Sequence, residues 1–260
     1  MEFSSVKDIA IYGTECLVDI SRGSGDKCEL ITAKEKYFDV QCDNNGQLTV
    51  TQKKGNFFYR IINRRFEFKL VLPRSFKGRL RFRNKNGGLY LTGGEFEGVE
   101  LSTFNGKFDI RDISCAEFGL KMKNGTIDIH RLTAAQTVSL RCKNGNVKAE
   151  TVSASALTIS SDNAGLSAVD VRTERLDCST HNGTIDVNGI AAPEVKLDTS
   201  NGKIYAAIVG NRDEYRVSLE TSHGAITVDG TPSKNFTDPS GPKRRVTART
   251  SNGDIDLRFL

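Results

Sequence analysis

The sequence predicts an all-β protein: a parallel β-solenoid with rungs of about nineteen residues and an irregular N-terminal β cap. Three observations predict it. First, Asn-Gly returns at a fixed interval. With its Gly as origin, the copies fall at Gly87, Gly106, Gly125 and Gly145, then at Ala164 in place of Gly, then at Gly183 and Gly202, in steps of 19, 19, 20, 19, 19 and 19 residues. Looser copies follow at Gly224 and Gly253, after 22 and 29 residues. Second, apolar residues keep their places around each origin. Seven before it stand Leu80, Val99, Phe118, Val138, Leu157, Leu176, Val195, Val217 and Val246; two after it stand Leu89, Phe108, Ile127, Val147, Leu166, Ile185, Ile204, Ile226 and Ile255. The columns five before (Phe82 to Ala248) and four after (Leu91 to Leu257) are apolar too, and a further apolar residue falls at plus seven: Ile113, Leu132, Val152, Val171, Ile190 and Val209. Third, apolar spacing within each arm is two, the period of a half-buried strand. The inward parity switches at Asn-Gly, which therefore absorbs one residue as a corner and calls for positive φ.

Taken in chain order, residues 1–79 form an N-terminal β region and cap, containing "CLVDI", a degenerate rung around Gly46 in "YFDVQCDNNGQLTV", and the alternating "FEFKLVLP". Residues 80–260 form the solenoid repeats, continuous with the cap as one domain. Asn-Gly between alternating runs is also the strongest short signal for an antiparallel hairpin, so a hairpin-rich sandwich or propeller is the competing reading. Hairpins do not explain why whole repeats superimpose in step; stacked rungs about 4.8 Å apart do. Stacking aligns Asn86, Asn105, Asn124, Asn144, Asn163, Asn182, Asn201 and Asn252 into an amide ladder. Raw sheet edges need covers. The chain stops inside a rung at "IDLRFL", and the Pro- and Gly-rich insertion at 230–245 is expected to fold over that last rung, with end-to-end self-association as the alternative.

An apolar share of 37% with 27% charged residues is that of a folded, soluble chain. No membrane span or secretory signal is evident, which predicts a cytoplasmic protein, membrane-peripheral at most. Six cysteines with no C-x-x-C pair read as reduced thiols. Cys142 and Cys178 fall in inward columns.

Rungs of the form apolar-x-apolar-x-Thr-x-Asn-Gly-x-Ile-x-Ile, preceded by "FEFKLVLP", resemble the bacterial "putative adhesin" family of β-strand-repeat proteins, a domain of unknown function. The likeness covers nearly the full chain. It implies a right-handed β-helix-like fold and a role in adhesion or envelope sensing, and brings no catalytic residues.

Some parallel β-helices cleave polysaccharides, and a catalytic cluster would fall in the outward columns. Asp109 and Asp128 are stacked neighbours, close enough to share a proton or grip a cation, but Lys107, Arg111 and Lys148 flank them and solvated carboxylates are the simpler reading. His130 and His181 lie outward and His223 replaces a ladder Asn; His181 and His223, two rungs apart, are too far for a shared metal. No catalytic residue, metal site or cofactor is assigned. One surface stands out. Positions six, four and two before each origin carry Arg81, Arg83 and Lys85, then Phe104, then Lys121 and Lys123, then Arg141 and Lys143, with Glu100 as their only acid; later rungs turn neutral or acidic. Like charges on neighbouring strands repel, so the fold does not ask for this pattern. The basic run begins earlier, with Arg60, Arg64, Arg65, Lys69, Arg74, Lys77 and Arg79 against Glu67. The expectation is a non-enzymatic binding or scaffold protein presenting a basic face to an unknown protein, a glycan or an anionic membrane surface. A polysaccharide-acting enzyme and a nucleic-acid binder are the alternatives, the latter disfavoured because single-strand binders stack several aromatics where this face has Phe104 alone.

Overall fold

The structure, a computed structural model, describes residues 1–53, 66–237 and 243–260. It is a β-solenoid, divided into two compact units, Met1–Leu132 and Thr133–Leu260.

The first unit holds β1 (Glu2–Phe3), β2 (Asp8–Tyr12), β3 (Glu15–Arg22), β4 (Cys28–Ile31), β5 (Phe38–Cys42), β6 (Gln47–Gln52), β7 (Phe66–Leu72), β8 (Arg79–Arg83) and β9 (Asn86–Ala134). The last winds through successive rungs and ends two residues into the second unit. The earliest rung in the chain is not the outermost in the stack. β2 lies parallel between β6 and β8, with Ile9 opposite both Leu48 and Leu80. β3 lies parallel between β7 and β9, with Val18 opposite both Phe68 and Leu89. The outermost rung is thus β6 with β7, closed by antiparallel strands: β5 on β6, β4 on β7, and β1 on β4. This corrects the expected degenerate rung around Gly46. There Asn45-Gly46 is the turn of an ordinary hairpin, with Gly46 at φ +84° donating its N–H to the Asp43 carbonyl at 3.1 Å. A reversal of direction is what stops a parallel stack from offering its edge.

Within β9 the repeat behaves as its columns require. Leu89, Leu91, Phe108, Ile110, Ile127 and Ile129 are fully buried, and the Asn105 and Asn124 amides each donate to the Asn one rung back at 2.7 Å. Gly106 has φ +154°, and a Cβ there would sit 1.4 Å from the Gly87 carbonyl oxygen. Close stacking therefore excludes a side chain at Gly106.

The second unit holds β10 (Thr137–Asn163), β11 (Leu166–Asn182), β12 (Ile185–Ala191), β13 (Glu194–Asn201), β14 (Ile204–Ile208), β15 (Tyr215–His223), β16 (Ile226–Val228), β17 (Thr231–Ser233), β18 (Phe236–Thr237), β19 (Arg244–Asn252) and β20 (Ile255–Phe259). Nineteen-residue stacking runs from β10 to β14, with Leu157 opposite Leu176 and Ile185 opposite Ile204. There the order of the chain breaks. β19 lies between β13 and β15, so that Val246 faces Val195 on one side and Val217 on the other. β20 lies likewise between β14 and β16. The Asn ladder follows the stack rather than the chain, stepping 51 residues from Asn252 to Asn201 at 2.7 Å. The final rung is therefore interior, contrary to expectation. All three segments carry the same inward pattern, so register admits either order, and the long 229–243 connection lets the last one fold back. The insertion does act as a cover, but over the β15–β16 rung: β17 pairs antiparallel with β16 and β18 with β15. The Asn235 side chain imitates one more strand residue, accepting from Thr221 N–H at 3.0 Å and donating to its carbonyl at 2.9 Å.

Two features of the corners escaped the sequence. A second corner lies six residues after the origin, held in the left-handed region by Gly93, Asp112 and Arg131 in the first unit and by Thr151, Asp170 and Gly189 in the second. The rung 202–210 lacks it. Ile208 takes the inward place opposite Ile190, and Val209, expected inside, is exposed. Positive φ at Asn-Gly holds for Gly87, Gly106, Gly125 and Gly145 but not for Gly183, Gly202, Gly224 or Gly253. In these later corners Gly is required by close approach alone, a Cβ on Gly202 falling 2.0 Å from the Gly183 carbonyl oxygen. Buried Thr hydroxyls three places before the origin donate to those stacked carbonyls: Thr199 to Gly183 at 3.1 Å and Thr250 to Gly202 at 2.9 Å.

Candidate functional site

The basic columns follow from strand parity. Residues six, four and two before the corner alternate with the buried ones, so Arg81 and Arg83 project from β8 on either side of Phe82, whose ring is wholly buried. In the first unit Arg81, Arg83, Lys85, Phe104, Lys121 and Lys123 are all exposed; in the second, Arg141 and Lys143 are exposed on β10. Each unit thus carries its part of the predicted set on the surface.

The electrostatics are less one-sided than the sequence suggested. Glu100 accepts from Arg81 Nε at 3.0 Å and lies 3.5 Å from Arg83 Nη2, and the hydrogen bond from Arg81 holds its carboxyl below the usual range. Arg79 pairs with Glu97 and Lys77 with Glu95, at 2.6 and 2.9 Å. Lys143 lies 3.7 Å from Asp162. Nineteen-residue stacking sets these acids one rung from their partners, a relation invisible in a linear tally. Lys123 sits 5.2 Å above the Phe104 ring, a cation–π contact that accounts for that aromatic residue. Lys85 and Lys121 have no acidic partner among the described residues. Arg60, Arg64 and Arg65, which extended the predicted run, lie outside the described residues.

Asp109 is buried, not solvated as expected. Arg111 Nε donates to it at 2.7 Å and Lys107 Nζ lies at 3.1 Å. The Arg111 hydrogen bond outweighs burial and, with Lys107, keeps the carboxyl below its ordinary value. A general acid needs the opposite shift. Asp128 is half-buried with His130 Nε2 3.0 Å from its Oδ1. His181 Nδ1 meets Ser200 Oγ at 3.4 Å. All six cysteines are free thiols; burial pushes Cys16, Cys28 and Cys115 up to about 12 and raises Cys142 and Cys178 as well, which suppresses the reactive thiolate. Among the described residues no helix is long and apolar enough to cross a membrane.

Residues 6–258 match the Toastrack DUF4097 family. Two solved structures are similar over nearly the whole chain at low identity. One is a putative cell adhesion protein from Clostridium sporogenes ATCC 15579, with 13% identity, 99% of this chain and 94% of that one covered, and a TM-score of 0.26. The other is a putative adhesin from Bacteroides fragilis NCTC 9343, with 12% identity, 100% and 95% covered, and a TM-score of 0.42. No curated protein matches.

Proposed function

Since the chain belongs to the Toastrack DUF4097 family over nearly all its length, we propose that it works as a non-enzymatic binding or scaffold protein whose basic face meets an anionic surface. The observation that carries this reading is the pair Lys85 and Lys121, exposed on neighbouring columns with no acidic partner among the described residues. They are backed by Lys123 over Phe104 and by two arginines sharing Glu100. Exposed cations without an acid beside them attract anions, and an anionic polymer or headgroup layer would supply the missing partner. The non-enzymatic part is supported by Asp109, which its two cations keep ionised and covered.

The test is binding to vesicles of phosphatidylserine and phosphatidylcholine and to heparin across a salt series. Screening shortens from about 10 Å at 0.1 M salt to about 3 Å at 1 M, so affinity should fall steeply with salt. It should disappear when Arg81, Arg83, Lys121 and Arg141 are replaced together by Ser. Salt-insensitive binding, or equal binding by that variant, removes the proposal.

A further inference from the structure

Three places after the corner, the outward column of each unit sets one exposed tyrosine between two aspartates. In the first unit Asp19 is in register with Tyr90, and the nineteen-residue step of β9 brings Asp109 to its other side. In the second, Tyr205 is in register with Asp186 on one side and Asp256 on the other. The two tyrosines are 40% and 41% exposed. The resemblance extends further. Arg111 braces Asp109, and Arg258 Nη2 braces Asp256 at 2.8 Å; in both cases the arginine's hydrogen bond keeps the carboxyl below its ordinary value. In the first unit a lysine also stands beside the ring, Lys107 Nζ lying 6.0 Å from the Tyr90 centroid. Stacking does not account for this, since a single aromatic ring between carboxylates gains little from its column neighbours.

We propose that these columns bind neutral carbohydrate, with the tyrosine ring as a platform for the apolar face of a pyranose and the exposed aspartate beside it, Asp19 in the first unit and Asp186 in the second, accepting from its hydroxyls. The site in the first unit is the better formed. Tyr90 borders a groove of about 550 Å³ that also takes in Leu17, Asp19, Ile31 and Lys69, a volume within the range of small-ligand sites. Ile31 is 54% exposed there, and Asp19 and Lys69 have no ion pair among the described residues, so acceptor, donor and apolar floor stand together unused. The charges select the ligand class. Carboxylates and cations are interleaved around the ring, Asp19 beside Lys69 and Asp109 with Lys107 and Arg111, so no one-signed field holds an anion. A quaternary ammonium, which would sit over the ring, meets Lys107 there. A neutral polyol offers what remains: hydroxyl donors for fixed carboxylates and an apolar C–H face for the ring. The site lies on a different arm from the basic columns and does not depend on the reading proposed for them.

Binding is read as heat by isothermal titration calorimetry, a signal that does not depend on the tyrosines being replaced. The full chain is titrated with neutral hexasaccharides of β-1,4-linked glucose and of β-1,4-linked N-acetylglucosamine, with choline and heparin alongside. The expected result is saturable binding of at least one hexasaccharide, weakened about tenfold in Tyr90→Ala, the loss of a stacked ring. Tyr90→Phe should retain it, Asp19→Asn should weaken it, and the double variant Tyr90→Ala/Tyr205→Ala should show none. It should hold steady from about 50 to about 300 mM sodium chloride and survive the four-fold Arg and Lys replacement above, which separates it from the basic face. Circular dichroism of each variant controls for folding. No binding of either hexasaccharide, unchanged affinity in folded Tyr90→Ala, or preference for choline or heparin at Tyr90 would overturn the proposal.

Discussion

The corners up to Gly145 and those from Gly183 onward repeat one dipeptide and solve different problems with it, the change falling within the second unit. At Gly87 and Gly106 the backbone is left-handed as well as crowded; at Gly183 and Gly202 it is crowded only, and a buried threonine hydroxyl caps the carbonyl that crowds it. In the corners up to Gly145 the residue three before varies, from Asn84 to Thr103, Met122 and Cys142. The difference shows that Asn-Gly in this fold is selected first by the proximity of stacked backbones and only second by φ. The chain termini show the same economy: each unit tucks its terminal rung inside another and closes the outer one with antiparallel strands.

The sharpest way to break this comparison is to add one carbon at a corner of each kind. Gly106→Ala and Gly202→Ala should each lose roughly 3 kcal/mol or more, the range of severe backbone and packing defects. Gly106→Ala should suffer more because its φ is also wrong. Denaturant unfolding of both decides it, and near-neutrality at Gly202 would mean the stacked carbonyls yield. Next in size is Thr199→Val, which leaves the Gly183 carbonyl without its hydroxyl donor and should cost about 1–2 kcal/mol. The opposite sign is expected at the second corner. Thr151, β-branched at φ +56°, should gain about 1 kcal/mol on replacement by Gly, whereas Gly189→Thr should lose as much. The smallest effect is electrostatic. Asp109 and Asp256 have folded pKa values held below those of the unfolded chain. Their contribution is therefore complete above the ordinary carboxylate range, near pH 4, and lost as pH falls through the lower folded values. Melting followed from pH 7 downward should show a shallower acid decline in Asp109→Asn than in the parent. On the surface, Glu100→Gln should free Arg81 and Arg83 and tighten binding to anionic vesicles at low salt.

The rungs, their period, the inward columns and the Asn ladder were legible in the sequence because each is a local pattern repeated, and stacking multiplies it. The exposed basic residues were legible for the same reason: alternation fixes which side chains point out. Their neutralisation was not, since Glu100, Glu97 and Glu95 reach their partners one rung away. The left-handed second corner left little trace, because Asp, Arg, Thr and Gly share no property at that column except the φ imposed on them. The tyrosine columns were overlooked because Asp19 joins Tyr90 through a rung that sequence order places elsewhere.

What the sequence determined alone is therefore the unit of construction: a nineteen-residue turn with a buried face of fixed parity and a corner at Asn-Gly or, once each, Asn-Ala and His-Gly. What tertiary structure decided is the order in which those units stack. Segments 194–208, 215–228 and 244–259 offer interchangeable inward faces, so local pattern cannot rank them. Only closing the outer edge with β17, β18 and Asn235, while satisfying every ladder beneath, selects the arrangement in which the last rung lies within.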